Sequence, residues 1–202
     1  MGVGGHFWDM LKPYGHYEGW GFLKNKRVAV DLSYWIVQHE TAIKGLARKP
    51  HLRLIFFRTI NLFSKFGAFP VFVVDGKPSP LKSQARIERF YRASGINLSS
   101  LPPVEEGVSV ERNGIFKKYV EECVELLELL GMPVLHAIRE AEALCAQLNR
   151  EGHVDACITA DSDAFLYGAK CVVKRLTPNS KLALLQCVAF FFSVLVRNQD
   201  NA

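Results

Sequence analysis

Four short apolar runs in this chain each stop at one or two carboxylates, and that repetition constrains the fold more than any other feature. The clearest is Asp155-Ala156-Cys157-Ile158-Thr159-Ala160-Asp161-Ser162-Asp163-Ala164-Phe165-Leu166. An apolar, partly β-branched run ends at two aspartates one residue apart, and a second apolar run follows at once. This reads as a buried strand ending at Ala160, a tight turn, and a helix start capped by Asp163. Arg27-Val28-Ala29-Val30-Asp31 and Pro70-Val71-Phe72-Val73-Val74-Asp75 have the same form, and Met132 to Ala137 leads into Glu140-Ala141-Glu142. A single Asp-x-Asp is ordinarily a loop acid and an N-cap, and a pair of glutamates at a helix start is ordinarily explained by the helix dipole. Recurrence at every strong strand is what asks for a shared cause.

Between these runs the periodicity is helical. Phe7 to Leu11 is a short amphipathic turn, and Trp35 to Leu46 and His51 to Phe66 read as helices. The latter carries Leu52, Ile55, Phe56, Ile60 and Phe63 on one side and stops near Gly67. Asn113 to Leu130 sets Phe116, Val120, Cys123, Leu127 and Leu130 against Glu121, Glu125 and Glu128 on the solvent side, and Gly131 ends it. A helix through Ala143 to Leu148 closes at Gly152. Strands alternating with helices predict an α/β fold, a mostly parallel central sheet flanked by helices with right-handed crossovers.

In such a sheet the strand exits lie along one edge, where ligands bind. Asp31, Asp75, Glu140, Glu142, Asp161 and Asp163 would then share a crevice. Residues two apart on a helix diverge, so Glu140 must lie just before its helix and Glu142 in the first turn. Like charges this close raise one another's pKa unless cations sit among them. Carboxylate oxygens suit hard cations, Mg²⁺ above all, with Mn²⁺ able to substitute. Two such ions about 3.5–4 Å apart activate water and stabilise the departing oxygen of a phosphodiester.

The remaining features set the partners. Lys plus Arg number 25 against 20 Asp plus Glu, a mild basic excess concentrated after Asp75. From Lys77 to Arg92 there are five basic residues and one acid, Glu88, with Lys82, Arg86 and Arg89 along one side of a predicted helix. Residues 95–114 lose periodicity and read as a mobile loop. Five cysteines without a Cys-x-x-Cys read as reduced core residues, and the six histidines show no zinc-like spacing. The N-terminus is not a secretory signal, and His6 stands where a myristoylation signal wants Ser or Thr, so an intracellular, soluble chain is expected. The apolar run from Leu182 to Val196 falls short of the about 20 residues of a membrane span, and no membrane partner is expected.

Met1-Gly2-Val3-Gly4, Val28 to Asp31, Val73-Val74-Asp75-Gly76-Lys77-Pro78 through Lys82, Glu140 to Ala143, and Thr159 to Phe165 stand in the order of the XPG/flap-endonuclease family. The chain resembles most its GEN-like group, which includes Holliday-junction resolvases, and within it the plant GEN-like single-strand DNA endonucleases. Gly67 to Asp75 and Gly152 to Thr159 carry the closer match, and the likeness covers about residues 1–180.

The resemblance implies a nuclease core of the PIN-like, 5′–3′ exonuclease-like kind. It divides the chain into an N-terminal region at 1–96, a loop at 97–114, an internal region at 115–180 and an atypical apolar tail at 181–202. It implies Mg²⁺-dependent cleavage of DNA flaps, bubbles, single strands or junctions in repair, in the nucleus, with two ions held by Asp31, Asp75, Glu140, Glu142, Asp161 and Asp163. It also implies that Gly2, Lys82, Arg86 and Arg89 meet DNA, with Lys82 and Arg89 reaching the scissile phosphate. The family continues past the position of Asn179 with a seventh acid and a helical hairpin that grips duplex. The departure here implies a C-terminally truncated chain of reduced activity. Two alternatives stay open: a chain that binds DNA without cutting, and a PIN-like RNase.

Overall fold

Strand β2 (Arg27–Asp31) lies at the heart of the sheet because Val28, Ala29 and Val30 are apolar on both faces, the composition of a strand covered on each side. The computed structural model describes residues 4–44, 52–77, 114–176 and 185–189. In chain order these form α1 (Gly4–Leu11), β1 (Gly15–Glu18), β2, α2 (Leu32–Lys44), α3 (Leu52–Phe66), β3 (Phe69–Val74) and α4 (Gly114–Leu129). There follow β4 (Val134–His136), α5 (Ala141–Arg150), β5 (Ala156–Ile158), α6 (Asp163–Leu166), β6 (Cys171–Leu176) and β7 (Leu185–Ala189).

The sheet order is β1-β7-β6-β5-β2-β3-β4. Strands β4, β3, β2, β5 and β6 run parallel, as expected, whereas β7 is antiparallel to both β6 and β1. Part of the apolar run after Leu182 is therefore a strand inside the sheet. Strands β1, β6 and β7 were not predicted. The basic helix with Lys82, Arg86 and Arg89, the expected loop at 97–114 up to residue 113, and Gly2 lie outside the described residues, while Gly114 opens α4.

Two cores sandwich the sheet. On one face Val28, Val30, Phe72, Val74 and Ile158 meet Trp35, Phe56, Phe63 and Leu127 from α2, α3 and α4. The rings interlock: Trp35 stacks on Phe63 at 5.4 Å between centroids, and Phe63 meets Phe72 edge-on at 6.5 Å. On the other face Ala29, Val73, Cys157 and Val172 meet Ala141, Cys145, Ala146, Ala164 and Phe165 of α5 and α6, with Leu11 of α1. Cys123, Cys145, Cys157 and Cys171 are free thiols, the first three buried, in keeping with the reduced-core reading.

Glycine stops the helices where the sequence indicated. At Gly67 the backbone turns left-handed (φ 68°), Gly67 N–H donates to Ser64 O and Ala68 N–H to Phe63 O, closing α3 and delivering the chain into β3. Gly131 ends α4 by the same pair of bonds before β4. Asn149 fixes the far end of α5: its amide donates to Val154 O, and its carbonyl accepts from Lys170 and Cys171 N–H.

Candidate active site

Because β2 and β5 are neighbours while the chain leaves β2 toward β3 and returns from β4 to β5 across them, the exits of these strands border a topological switch point. Every predicted acid within the described residues lies on that edge. Asp31 is the last residue of β2, Asp75 follows β3, Glu140 and Glu142 follow β4, and Asp161 and Asp163 follow β5. Carboxylate oxygens of Glu142, Asp161 and Asp163 lie within 4.8 Å of one another. Asp31 feels the charges of Asp75 and Glu142, so the exits of β2, β3 and β4 feed the same cluster.

The local sequence explains how each acid is held. Asp31 is also the residue before α2, and its Oδ1 accepts from Tyr34 N–H at 3.1 Å, a helix N-cap bond. Asp75 Oδ1 accepts from Ala141 N–H, the first amide of α5, at 2.8 Å, while its Oδ2 accepts from the Ser33 hydroxyl. Asp161 Oδ1 accepts from Asp163 N–H at 3.1 Å. Three aspartates of the crevice thus each satisfy an amide at a helix start. The prediction that Asp163 caps α6 is corrected: Ser162 occupies the cap position without a side-chain bond, Asp163 is the first helical residue, and Asp161 receives the amide instead. The extra residue in the turn shifts the capping role from one aspartate to the other.

The glutamates are placed as geometry required. Glu140 precedes α5 with extended backbone (φ −98°, ψ 136°), and Glu142 sits in the first turn. Buried residues Ala141, Glu142, Cys145, Ala146 and Asn149 form one face of α5, so Glu142 lies over the sheet at its exit edge. Glu140 Oε2 accepts from Tyr167 OH at 3.1 Å. Gly76 allows the β3 exit to zip against the β4 exit: its N–H donates to Arg139 O at 2.7 Å, and an added Cβ would stand 2.0 Å from Ala137 O.

The electrostatics follow from this crowding. Burial, first, and then the neighbouring charges of Asp75 and Glu142 raise the Asp31 carboxyl to about 7, against the opposing bonds from Tyr34 and Thr159. Burial also raises the Cys145 thiol well above its ordinary value, with Cys157, Asp31, Glu142 and Asp75 acting in the same direction. An all-oxygen donor set with three carboxylates close enough to share an ion fits a hard divalent cation. Ser33, Tyr34, Thr159, Tyr167 and Gly76 were not singled out as supports of the site. A hydroxyl within two residues of a strand-ending acid, as at Ser33 and Thr159, was the available signal.

Comparison with known proteins gives this geometry its relatives. The XPG N-terminal domain matches residues 1–95 and the XPG I-region residues 131–196. Flap endonuclease GEN-like 1 of Arabidopsis thaliana is 72% identical over 181 residues, covering 90% of this chain and 30% of that protein. Its counterpart in Oryza sativa subsp. japonica is 64% identical over 191 residues, with the same 90% and 30% coverage. Among solved structures, human GEN1 in complex with Holliday junction DNA superposes with a TM-score of 0.69 at 32% identity, covering 96% of this chain and 46% of that one. The chain thus spans 30% of the length of these curated plant relatives. On both matched regions and these identities, the chain belongs to the XPG/flap-endonuclease family, in its GEN-like group.

Proposed function

We propose that this chain is the nuclease core of a structure-selective, Mg²⁺-dependent DNA endonuclease, hydrolysing a phosphodiester of flap, bubble, single-stranded or Holliday-junction DNA in repair. The observation that carries this reading is the approach of Glu142, Asp161 and Asp163 within 4.8 Å, on the edge shared with Asp31, Asp75 and Glu140. The names of the plant relatives and the junction DNA of the human structure support the substrate class.

Asp31, Asp75, Glu140, Glu142, Asp161 and Asp163 would hold two Mg²⁺, or Mn²⁺ in their place. Bound there, such ions supply charge for the phosphate oxygens and a water acidic enough to attack at neutral pH. The chain's own part is to orient. Hydrogen bonds from Tyr34, Ser33, Ala141 and Asp163 fix the carboxylates before any ion or DNA arrives. Lys82, Arg86 and Arg89 are proposed to grip the phosphate backbone, with Lys82 and Arg89 at the scissile group, and Gly2 to lie close to the DNA. Among the described residues no helix is long and apolar enough to cross a membrane. A nuclear location is proposed from the substrate, and imaging of a tagged chain checks it.

The test is cleavage of labelled flap, junction and single-stranded DNA, with matched RNA, by the full chain in Mg²⁺. Selective DNA cleavage abolished by Asp161→Ala, with melting behaviour retained, is expected. DNA binding without cleavage would favour the non-cutting alternative, and preferential cutting of RNA the RNase.

A further inference from the structure

We propose that Thr159 is a positioning residue of the acid crevice: its hydroxyl locks the Asp161 turn to Asp31 across two strands and so sets the spacing of the carboxylates that take a divalent cation. This rests on the cation-binding reading above and adds to it a residue outside the acid set.

Thr159 is fully buried immediately beyond β5, and its own N–H donates to Val173 O of β6 at 3.3 Å. Its Oγ1 donates to Asp31 Oδ2 at 3.2 Å and accepts from Asp161 N–H at 3.1 Å. One hydroxyl therefore joins the exit of β2 to the turn after β5. Asp161 in turn accepts from Asp163 N–H, so the link reaches both aspartates that stand beside Glu142. A neutral group suits this place. A lysine or arginine would bring a positive charge that competes with a cation, whereas a hydroxyl supplies one donor and one acceptor without net charge. The β-branch of threonine also restricts χ1, which holds the hydroxyl in one direction while the methyl packs. Removing it leaves a buried carboxylate oxygen without this donor and an amide without this acceptor.

The test is calorimetric titration of the chelator-washed, full 202-residue chain with Mg²⁺, alongside Thr159→Val, Thr159→Ser and Thr159→Cys. Circular dichroism and melting without metal monitor the fold. Groups that orient metal ligands typically change affinity about 10–100-fold when removed, so Thr159→Val should bind Mg²⁺ that much more weakly. Thr159→Ser keeps both bonds and should stay within about threefold of the unmutated chain. Thr159→Cys, whose thiol is a weak donor, should fall between and carries the test if the valine variant melts below the assay temperature. Valine or cysteine variants that bind as well as the unmutated chain would overturn the role of Thr159, as would a folded serine variant as weak as valine. An unmutated chain that takes up no Mg²⁺ would overturn the cation reading itself, and the role of Thr159 with it.

Discussion

The two faces of the sheet are built from different materials. One is aromatic, with Trp35, Phe56, Phe63 and Phe72 filling the space under α2, α3 and α4. The other is rich in alanine and cysteine, with Ala29, Ala141, Cys145, Ala146, Cys157 and Ala164 between the sheet and α5 and α6. Large rings bury much apolar area and hold helices at a distance, while small residues bury less and let a helix approach closely. The approach is visible where the Cys157 thiol on β5 lies 3.1 Å from the Cys145 carbonyl on α5. The helices that carry Glu142 and Asp163 are those on the small-residue face. The aromatic layer supplies most of the buried apolar area, and the small-residue layer brings the helices carrying Glu142 and Asp163 close to the sheet.

Substitutions can separate these two roles. Phe63→Ala in the aromatic layer should cost about 3–5 kcal/mol in denaturant unfolding, with Mg²⁺ affinity of the folded chain unchanged. A parallel loss of Mg²⁺ affinity would merge the two roles. Ala146→Leu in the small-residue layer should cost less, about 1–3 kcal/mol, yet weaken Mg²⁺ binding about tenfold by forcing α5 off the sheet. Unchanged affinity there would show that the close approach does not matter. Gly76→Ala should cost at least as much, because its Cβ would stand 2.0 Å from the Ala137 carbonyl oxygen, backbone that can yield only by parting the two strand exits. Its Mg²⁺ affinity should fall as Asp75 and the Glu140 segment separate, and calorimetry reads that directly.

The smallest effect is in pH. With the Asp31 carboxyl raised from 3.8 to about 7 in the folded chain, the ion-free native state binds the extra proton between those values. Its stability from this group is therefore present at low pH and is lost as pH rises toward about 7. A cation needs the ionised form, so the melting-temperature gain from millimolar Mg²⁺ should grow by a few degrees from about pH 6 to about pH 8. A gain that shrinks over that interval would place the cation elsewhere.

The chemistry of the sequence was more legible than its edges. Strands β2, β3 and β5 could be read because an unbroken apolar run ends on an acid, and the glycine stops at Gly67 and Gly131 announced the helix ends. Strand β1, Gly-His-Tyr-Glu, has no apolar signature and exists through its pairing with β7, which is itself concealed in an apolar run without alternation. Strand β6 turns basic at Lys174-Arg175, where the register with β7 also shifts. The capping explanation for the acids was not a rival of the site explanation. Asp31, Asp75 and Asp161 each accept from an amide at a helix start and stand on the same edge. Which aspartate of the last pair does so depends on one residue of turn length. Ser33 and Thr159 carry no periodic signal, and their roles emerge only when β2, β3 and β5 are laid side by side.

Mn²⁺ titration followed by electron paramagnetic resonance, on the full chain and on Glu142→Gln, tests the convergence of these carboxylates most directly. Saturable uptake that Mg²⁺ displaces, sharply weakened by the substitution while the chain stays folded, is the predicted result. Equal uptake by both chains, or none by either, would contradict it.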